Sequence, residues 1–193
     1  MSARGDGGSE KMSAQLPEGH VFIACSMDGF IAREDGDIAW LTGFPTPEGE
    51  DFGYAAFMGR MDAMVMGRGS YEKVLTFGDW PYAKPVTVLS HSLRAHDLRA
   101  DLTGRVEITG ASPEHVFTRL GQAGVRAVYV DGGQVIQSCL REGLIRSLTV
   151  TRLPILLGEG RPLFGPTGRD IPLHLRSVRN WENGFVQSVY EVR

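Results

Sequence analysis

Apolar residues fall in short unbroken runs along this chain, each closed by glycine, serine or aspartate. That rhythm predicts buried strands alternating with helices. The strand candidates are His20 to Cys25, Ala63 to Met66, Pro85 to Leu89, Val106 to Thr109, Ala127 to Val130 and Leu144 to Leu153. Between them, Asp51 to Arg60 carries apolar residues at Phe52, Ala55, Ala56 and Phe57, a helical spacing. Ser112-Pro113-Glu114 opens a second helix with a capping hydroxyl and a proline at its first position, and Val135 to Arg141 is amphipathic. Leu173 to Val178 and Phe185 to Val192 instead alternate around Asn183-Gly184, a hairpin signal. The expected fold class is α/β: a central mixed, mostly parallel sheet with flanking helices and a C-terminal antiparallel hairpin.

Two of the strands stop in a way that carries chemistry. Ala63 to Met66 runs into Gly67-Arg68-Gly69-Ser70, where the glycines permit backbone conformations that a side chain forbids and Ser70 is a suitable N-cap for a helix over Tyr71 to Leu75. Free N–H groups at such a helix start make an anion site, and Arg68 adds a charge suited to bidentate phosphate binding. Ala127 to Val130 likewise runs into Asp131-Gly132-Gly133 and a helix start. A pair of strand, glycine turn and helix units suits a dinucleotide held from two sides. The spacing is not G-x-G-x-x-G, so the usual dinucleotide-binding fingerprint is absent.

Composition narrows the class without deciding it. At 193 residues and 42% hydrophobic, the chain predicts a single domain over 18–193, with a glycine- and serine-rich disordered tail over 1–17 in which Met12 is a second candidate initiator. The net charge of −3, mixed along the chain, offers no basic footprint for nucleic acid. No apolar run is long enough to span a bilayer, and no secretory signal opens the sequence. Cys25 and Cys139, two thiols far apart in apolar or helical surroundings, read as core fillers in a reducing compartment, the cytoplasm.

Several of these segments resemble known enzymes. Met66-Gly67-Arg68-Gly69-Ser70-Tyr71-Glu72, Leu89-Ser90 and Val130-Asp131-Gly132-Gly133 look like the cofactor segments of dihydrofolate reductase. The match is closer to the reductase domain of the bacterial bifunctional riboflavin-biosynthesis protein and its free-standing relatives. Ser26-Met27-Asp28-Gly29-Phe30-Ile31-Ala32 resembles that group's S-x-D-G-x-I-A motif. Pro154-Ile155-Leu156-Leu157-Gly158-Glu159-Gly160-Arg161-Pro162-Leu163-Phe164 resembles its P-x-L-L-G-x-G-x-P-L-F motif. The resemblance spans about Val21 to Val192.

It implies the three-layer dihydrofolate-reductase-like fold and an NADPH-dependent oxidoreductase, similar to 5-amino-6-(5-phosphoribosylamino)uracil reductase and working as a homodimer. By position, Gly67, Arg68 and Ser70 would hold cofactor phosphates, with Ser90 near the adenosine 2′-phosphate. Gly132, Gly133, Gln134, Val135 and Ile136 would take the pyrophosphate, and Ala24, Ile31 and Ala32 would line the nicotinamide. Trp40 would belong to the substrate side. Asp131 is either a pyrimidine contact or a simple strand-end cap. Asp51 is either a catalytic carboxylate of the pterin-reductase kind, with Thr151 as its hydroxyl partner and a pKa raised by an apolar pocket, or a solvated helix cap in an acidic run. The riboflavin enzymes' lysine at the first motif is missing, as is their arginine after Trp40-Leu41-Thr42 that binds the ribose phosphate. Arg60, Lys84, Arg152 and Arg161 are the candidates to replace it. Dihydrofolate-type pterin reduction and nucleotide binding without turnover are the alternative functions.

Overall fold

A computed structural model describes residues 15–193. In chain order the elements are β1 (Glu18–Ser26), β2 (Phe30–Ala32), α1 (Ala39–Thr42), α2 (Tyr54–Gly59), β3 (Ala63–Gly67), α3 (Arg68–Leu75), β4 (Val86–Leu89), β5 (Val106–Thr109), α4 (Pro113–Gln122), β6 (Ala127–Asp131), α5 (Gly133–Arg141), β7 (Ile145–Leu153), β8 (Arg161–Pro162), β9 (Leu173–Asn180) and β10 (Val186–Val192). Residues 1–14 of the expected tail lie outside the described part. Of the remaining three, Gln15 and Pro17 pack beside Gly121 of α4.

Eight strands form one sheet in the order β5-β4-β3-β6-β1-β7-β10-β9. The pairs from β5 across to β7 are parallel, and β10 runs antiparallel to both β7 and β9. The expected fold class is therefore the observed one. Strand alternation sorts side chains onto two faces. Val21, Cys25, Val65, Val128 and Val130 point to one face and pack against Val116 and Phe117 of α4 and Val135, Ile136 and Cys139 of α5. Met64, Met66, Val86, Val88 and Tyr129 point to the other, against Phe57 of α2 and Tyr71 of α3. Covered on both faces, these strands read as continuous apolar runs, which is why they were visible in sequence.

A second, two-stranded sheet pairs β2 with β8 antiparallel. Alternation does not announce it, because each strand is too short. Side-chain bonds anchor it: Ser26 donates its hydroxyl to Asp28 Oδ1 at 2.6 Å and accepts from the Phe30 amide at 2.9 Å. The Asp28 carboxylate accepts from the amides of Leu157, at 3.1 Å, and Gly158, at 2.8 Å. The S-x-D-G-x-I-A and P-x-L-L-G-x-G segments are thus one structural unit. Hydrogen bonds from Ser26 and these amides hold the exposed Asp28 carboxyl below its ordinary pKa.

The C-terminal ends of β4, β3, β6, β1 and β7 open onto one edge of the sheet. Ligands in open α/β sheets bind at that edge.

Candidate cofactor and substrate site

The two glycine turns meet there. β3 and β6 are neighbours, with Met66 opposite Asp131, so α3 and α5 leave the sheet side by side. A Cβ placed on Gly132, whose φ is +90°, would come within 2.7 Å of Ser70 Oγ. Neither helix start has a side-chain cap. In α4, by contrast, Ser112 Oγ accepts from the His115 amide at 3.3 Å. The first-turn amides of α3 and α5 are left for an anion, and their partial positive charges add at one place.

The local reasons differ from those the sequence implied. Helix α3 begins at Arg68 with Gly67 as its N-cap, so Ser70 stands inside the first turn instead of capping it, and hydrogen bonds to Asp131. Gly67 and Gly69 do not need a left-handed backbone: neither has positive φ. Close approach is the requirement instead, since a Cβ on Gly67 would stand 3.2 Å from Val135 Cγ2. Helix α5 starts at Gly133, two residues earlier than its apolar pattern showed. Gln134 is exposed, Val135 and Ile136 bury their side chains in the core, and the Ile136 amide is already bonded to the Gly132 carbonyl at 2.9 Å. Ile136 therefore offers an anion no free amide.

Arg68 lies at the outer side of the turns. Its Nη1 donates to Ser92 Oγ at 3.3 Å, and Glu72 lies 3.9 Å from its Nε. Ser90 Oγ accepts from the amides of Ser92 and Leu93 at 3.2 and 3.0 Å, which shapes the loop after β4. In the sequence Ser92 belonged to the polar stop Ser90-His91-Ser92, of which only Ser90 was given a cofactor role. On the other side, Ile31 Cδ1 and the Pro162 carbonyl crowd Gly133, so β2 and β8 lie over the α5 turn. Ala32 is buried opposite Arg161. Arg161 donates its Nε to the Glu34 carbonyl at 3.0 Å, and its guanidinium lies beside both Gly36 and Gly69. Asp35, Gly36, Gly69, Glu72, Lys73 and Arg161 line a cleft of about 350 Å³ there.

Asp131 closes β6 on the α2 side of the sheet. Burial raises its carboxyl pKa, opposed by hydrogen bonds from Ser70, the Gly132 amide and Tyr129. Three tyrosines, none singled out by sequence, surround it. Tyr129 donates its hydroxyl to the Phe22 carbonyl at 2.9 Å and approaches Asp131 Oδ1 at 3.4 Å. Burial, with the Asp131 charge adding to it, pushes Tyr54 up to about 12 and raises Tyr82 and Tyr129 as well. The Tyr54 ring lies edge-on to Phe22 and Tyr129, at 5.5 and 6.4 Å between centroids.

Ala24 and Thr151 are paired across β1 and β7, next to this group. Thr151 does not meet Asp51. Its hydroxyl accepts from Gln187 Nε2 at 3.0 Å, and the same amide donates to the Phe52 carbonyl at 3.1 Å. Asp51 instead accepts from the amides of Gly53 and Ala55, both at 2.8 Å, ahead of α2. Exposed, it has its pKa lowered by those bonds, the opposite of what a carboxylate in an apolar pocket would show. Of the two readings of Asp51, the geometry is that of the helix cap. Phe52 between them has φ +57°, the one non-glycine residue with positive φ among those described. Trp40 is buried with Leu153 and Phe185, and its Nε1 has no hydrogen-bond partner among the described residues.

With this geometry in view, likeness to known proteins becomes specific. Residues 17–187 match the model of the RibD C-terminal domain. The chain belongs to that family. It is 32% identical over 166 residues to the uncharacterized protein YwjB of Bacillus subtilis, covering 83% of this chain and 90% of that one. It is 29% identical over 167 residues to the riboflavin biosynthesis protein RibD of Corynebacterium ammoniagenes, of which the matched region spans only 47%. Among solved structures, a Shewanella sp. PV-4 protein assigned to riboflavin biosynthesis superposes with a TM-score of 0.85 at 36% identity, covering 91% of this chain and 99% of that one. Acinetobacter baumannii RibD shares the fold, with a TM-score of 0.67 at 15% identity over 92% of this chain and 58% of its own. The family is that of the riboflavin-pathway reductases, with a dihydrofolate-reductase-like fold. No described helix is long and apolar enough to cross a membrane.

Proposed function

We propose that this chain is an NADPH-dependent reductase that transfers hydride to the imine carbon of a ring-opened sugar carried by a small polar heterocycle of the aminopyrimidine kind. The observation that carries this reading is the meeting of two uncapped helix starts at adjacent strand ends, beside Arg68 and Ser92. Such a site suits the phosphates of a dinucleotide, whose 2′-phosphate would lie toward Arg68, Ser90 and Ser92. NADPH, when bound, supplies the hydride. The chain's own residues do the rest: Ala24, Ile31 and Ala32 wall the reacting end from water, and Asp131, whose carboxyl pKa burial raises, holds the ring beside it. Dihydrofolate-type reduction is the weaker reading, because Asp51 lacks the apolar pocket that a pterin acid needs.

The test is NADPH oxidation by the full chain against aminopyrimidine and pterin panels. Oxidation dependent on an aminopyrimidine supports the reading. Tight NADPH binding with no turnover on either panel makes the protein a nucleotide-binding protein instead. A homodimer belongs to the same proposal: β9 is an edge strand that exposes Leu173, Leu175 and Val178, a surface suited to a second copy.

A further inference from the structure

We propose that Arg161 is a cofactor-binding residue: a guanidinium carried by β8 that takes a pyrophosphate oxygen of the dinucleotide between the α3 and α5 turns. This rests on the reductase reading. The sequence left Arg161 open, with Arg60, Lys84 and Arg152, as a contact for a substrate phosphate. Arg60 ends α2 ahead of β3, and Lys84 precedes β4, so both lie toward the N-terminal ends of the parallel strands. Arg152 is paired with Cys25 and shares the face that α4 and α5 cover. Arg161 is placed differently, against the first glycine turn.

Two neighbouring residues of β8 touch the two turns. The Pro162 carbonyl would stand 2.7 Å from a Cβ on Gly133, and it accepts from Gln137 Nε2 at 3.2 Å, which fixes β8 to the start of α5. One residue earlier, Arg161 Nη1 would stand 3.3 Å from a Cβ on Gly69, in the first turn of α3. Gly69 has no positive φ, so what it gives up is volume: a side chain there would press on this guanidinium. The group is held from its other side. Arg161 Nε donates to the Glu34 carbonyl at 3.0 Å, and a Cβ on Gly36 would lie 3.1 to 3.2 Å from Nη1, Cζ and Nη2, so the loop after β2 packs against the planar group. Nη1 and Nη2 are left with no acceptor among the described residues.

The carboxylates of the same cleft are directed elsewhere. Asp35 Oδ1 accepts from the Asp37 amide at 2.8 Å, Asp37 Oδ2 from the Ala39 amide at 3.2 Å, and Glu72 faces Arg68. Among the described residues no carboxylate forms an ion pair with Arg161. Lys73, one turn further along α3, adds a second cation to the cleft. A guanidinium with Nε fixed and both terminal nitrogens open presents the fork that matches phosphate oxygens. Its place between the turns suits the pyrophosphate, which NADPH and NADH share. Arg68, on the outer side with Ser92, suits the 2′-phosphate, which only NADPH has.

The test is calorimetric titration of the full chain and of Arg161→Ala with NADPH and separately with NADH, at low and at high salt. Both nucleotides should bind the variant about ten-fold or more weakly, by similar factors, and the salt dependence of affinity should flatten because a screened charge has been removed. Arg161→Gln, which keeps a donor for the Glu34 carbonyl and drops the charge, should show the same loss. Arg161 is exposed, so both variants should keep the parent's thermal unfolding. Parent affinity in Arg161→Gln, or a loss in Arg161→Ala that keeps the parent's salt dependence, assigns the residue to bracing the loop and overturns the proposal. Unchanged binding, or a loss confined to NADPH, overturns it too and leaves the reductase reading standing. Failure of the parent chain to bind either nucleotide overturns the reading beneath.

Discussion

Asp131 and Arg68 carry opposite kinds of electrostatic burden. Because burial raises the Asp131 pKa, the folded chain binds that proton more tightly than the unfolded chain does. The stability tied to the proton is fully present below the ordinary carboxyl value of 3.8 and is lost as pH rises through the raised one. Asp131→Asn should therefore be more stable than the parent at neutral pH, with the gain vanishing in acid, while turnover falls by roughly 10²-fold or more if the acid serves the reaction. Urea unfolding across pH and steady-state kinetics check the two halves separately. Arg68 is exposed, and the role proposed for it is toward a ligand phosphate. Arg68→Ala should weaken NADPH by roughly ten-fold or more, the loss of a charge-assisted contact of about 1.5–3 kcal/mol, and NADH far less. Equal losses for both nucleotides would mean that Arg68 only supports the turn through Ser92 and Glu72. Asp131 and Arg68 were legible in sequence because a charged residue beside a glycine turn is conspicuous. Tyr54 and Tyr82 were not, since what brings them to the site is the crossing of separate elements.

Elements succeed or fail here by how closely they pass. The β3–α3 and β6–α5 units lie near enough that Gly132 cannot carry a side chain. Gly132→Ala meets both a left-handed φ of +90° and the Ser70 hydroxyl, and should cost about 1–3 kcal/mol in chemical unfolding as well as cofactor affinity. Loss of affinity with unchanged stability would show that the space at Gly132 belongs to the ligand alone. The strands of this unit were readable as unbroken apolar runs. Their helix starts were misread by three residues at α3 and two at α5, because Arg68, Gly69, Ser70, Gly133 and Gln134 carry no apolar period: the helix there is imposed by the turn geometry. Of the two readings of Asp51, the geometry departs from the catalytic one for a related reason. The resemblance to pterin reductases placed it beside Thr151, but the left-handed pair Phe52 and Gly53 turns its carboxylate onto the amides of Gly53 and Ala55.

At the scale of the whole molecule, the sheet has two unlike ends. One side finishes with parallel strands covered by helices, the other with a hairpin whose outer strand is open. Leu175 is 48% exposed and Val178 53% on that strand, more apolar surface than an isolated edge tolerates comfortably. If a second copy covers it, Leu175→Glu should convert the dimer to a monomer in light scattering while NADPH binding by each chain persists. A parent chain that is already monomeric at micromolar concentration would refute the pairing. The order of strands across the sheet was not written in the sequence, since β6 enters between β3 and β1 only once the parallel crossovers are folded. The hairpin was, because Asn183-Gly184 and the alternation around it are local.

Arg161 touches the loop after β2 through Glu34 and Gly36 and the α3 turn through Gly69 with one planar group. The loop's position and the shape of the α3 turn, the proposed phosphate site, are therefore not independent variables. A dinucleotide arriving at Gly69 would settle the loop through this shared side chain before any heterocycle enters, giving compulsory sequential addition with the reductant first. If the proposed reduction occurs, product-inhibition patterns should show that sequence in the parent chain, and Arg161→Ala should relax it to random arrival, leaving two partners to find their places without reference to each other.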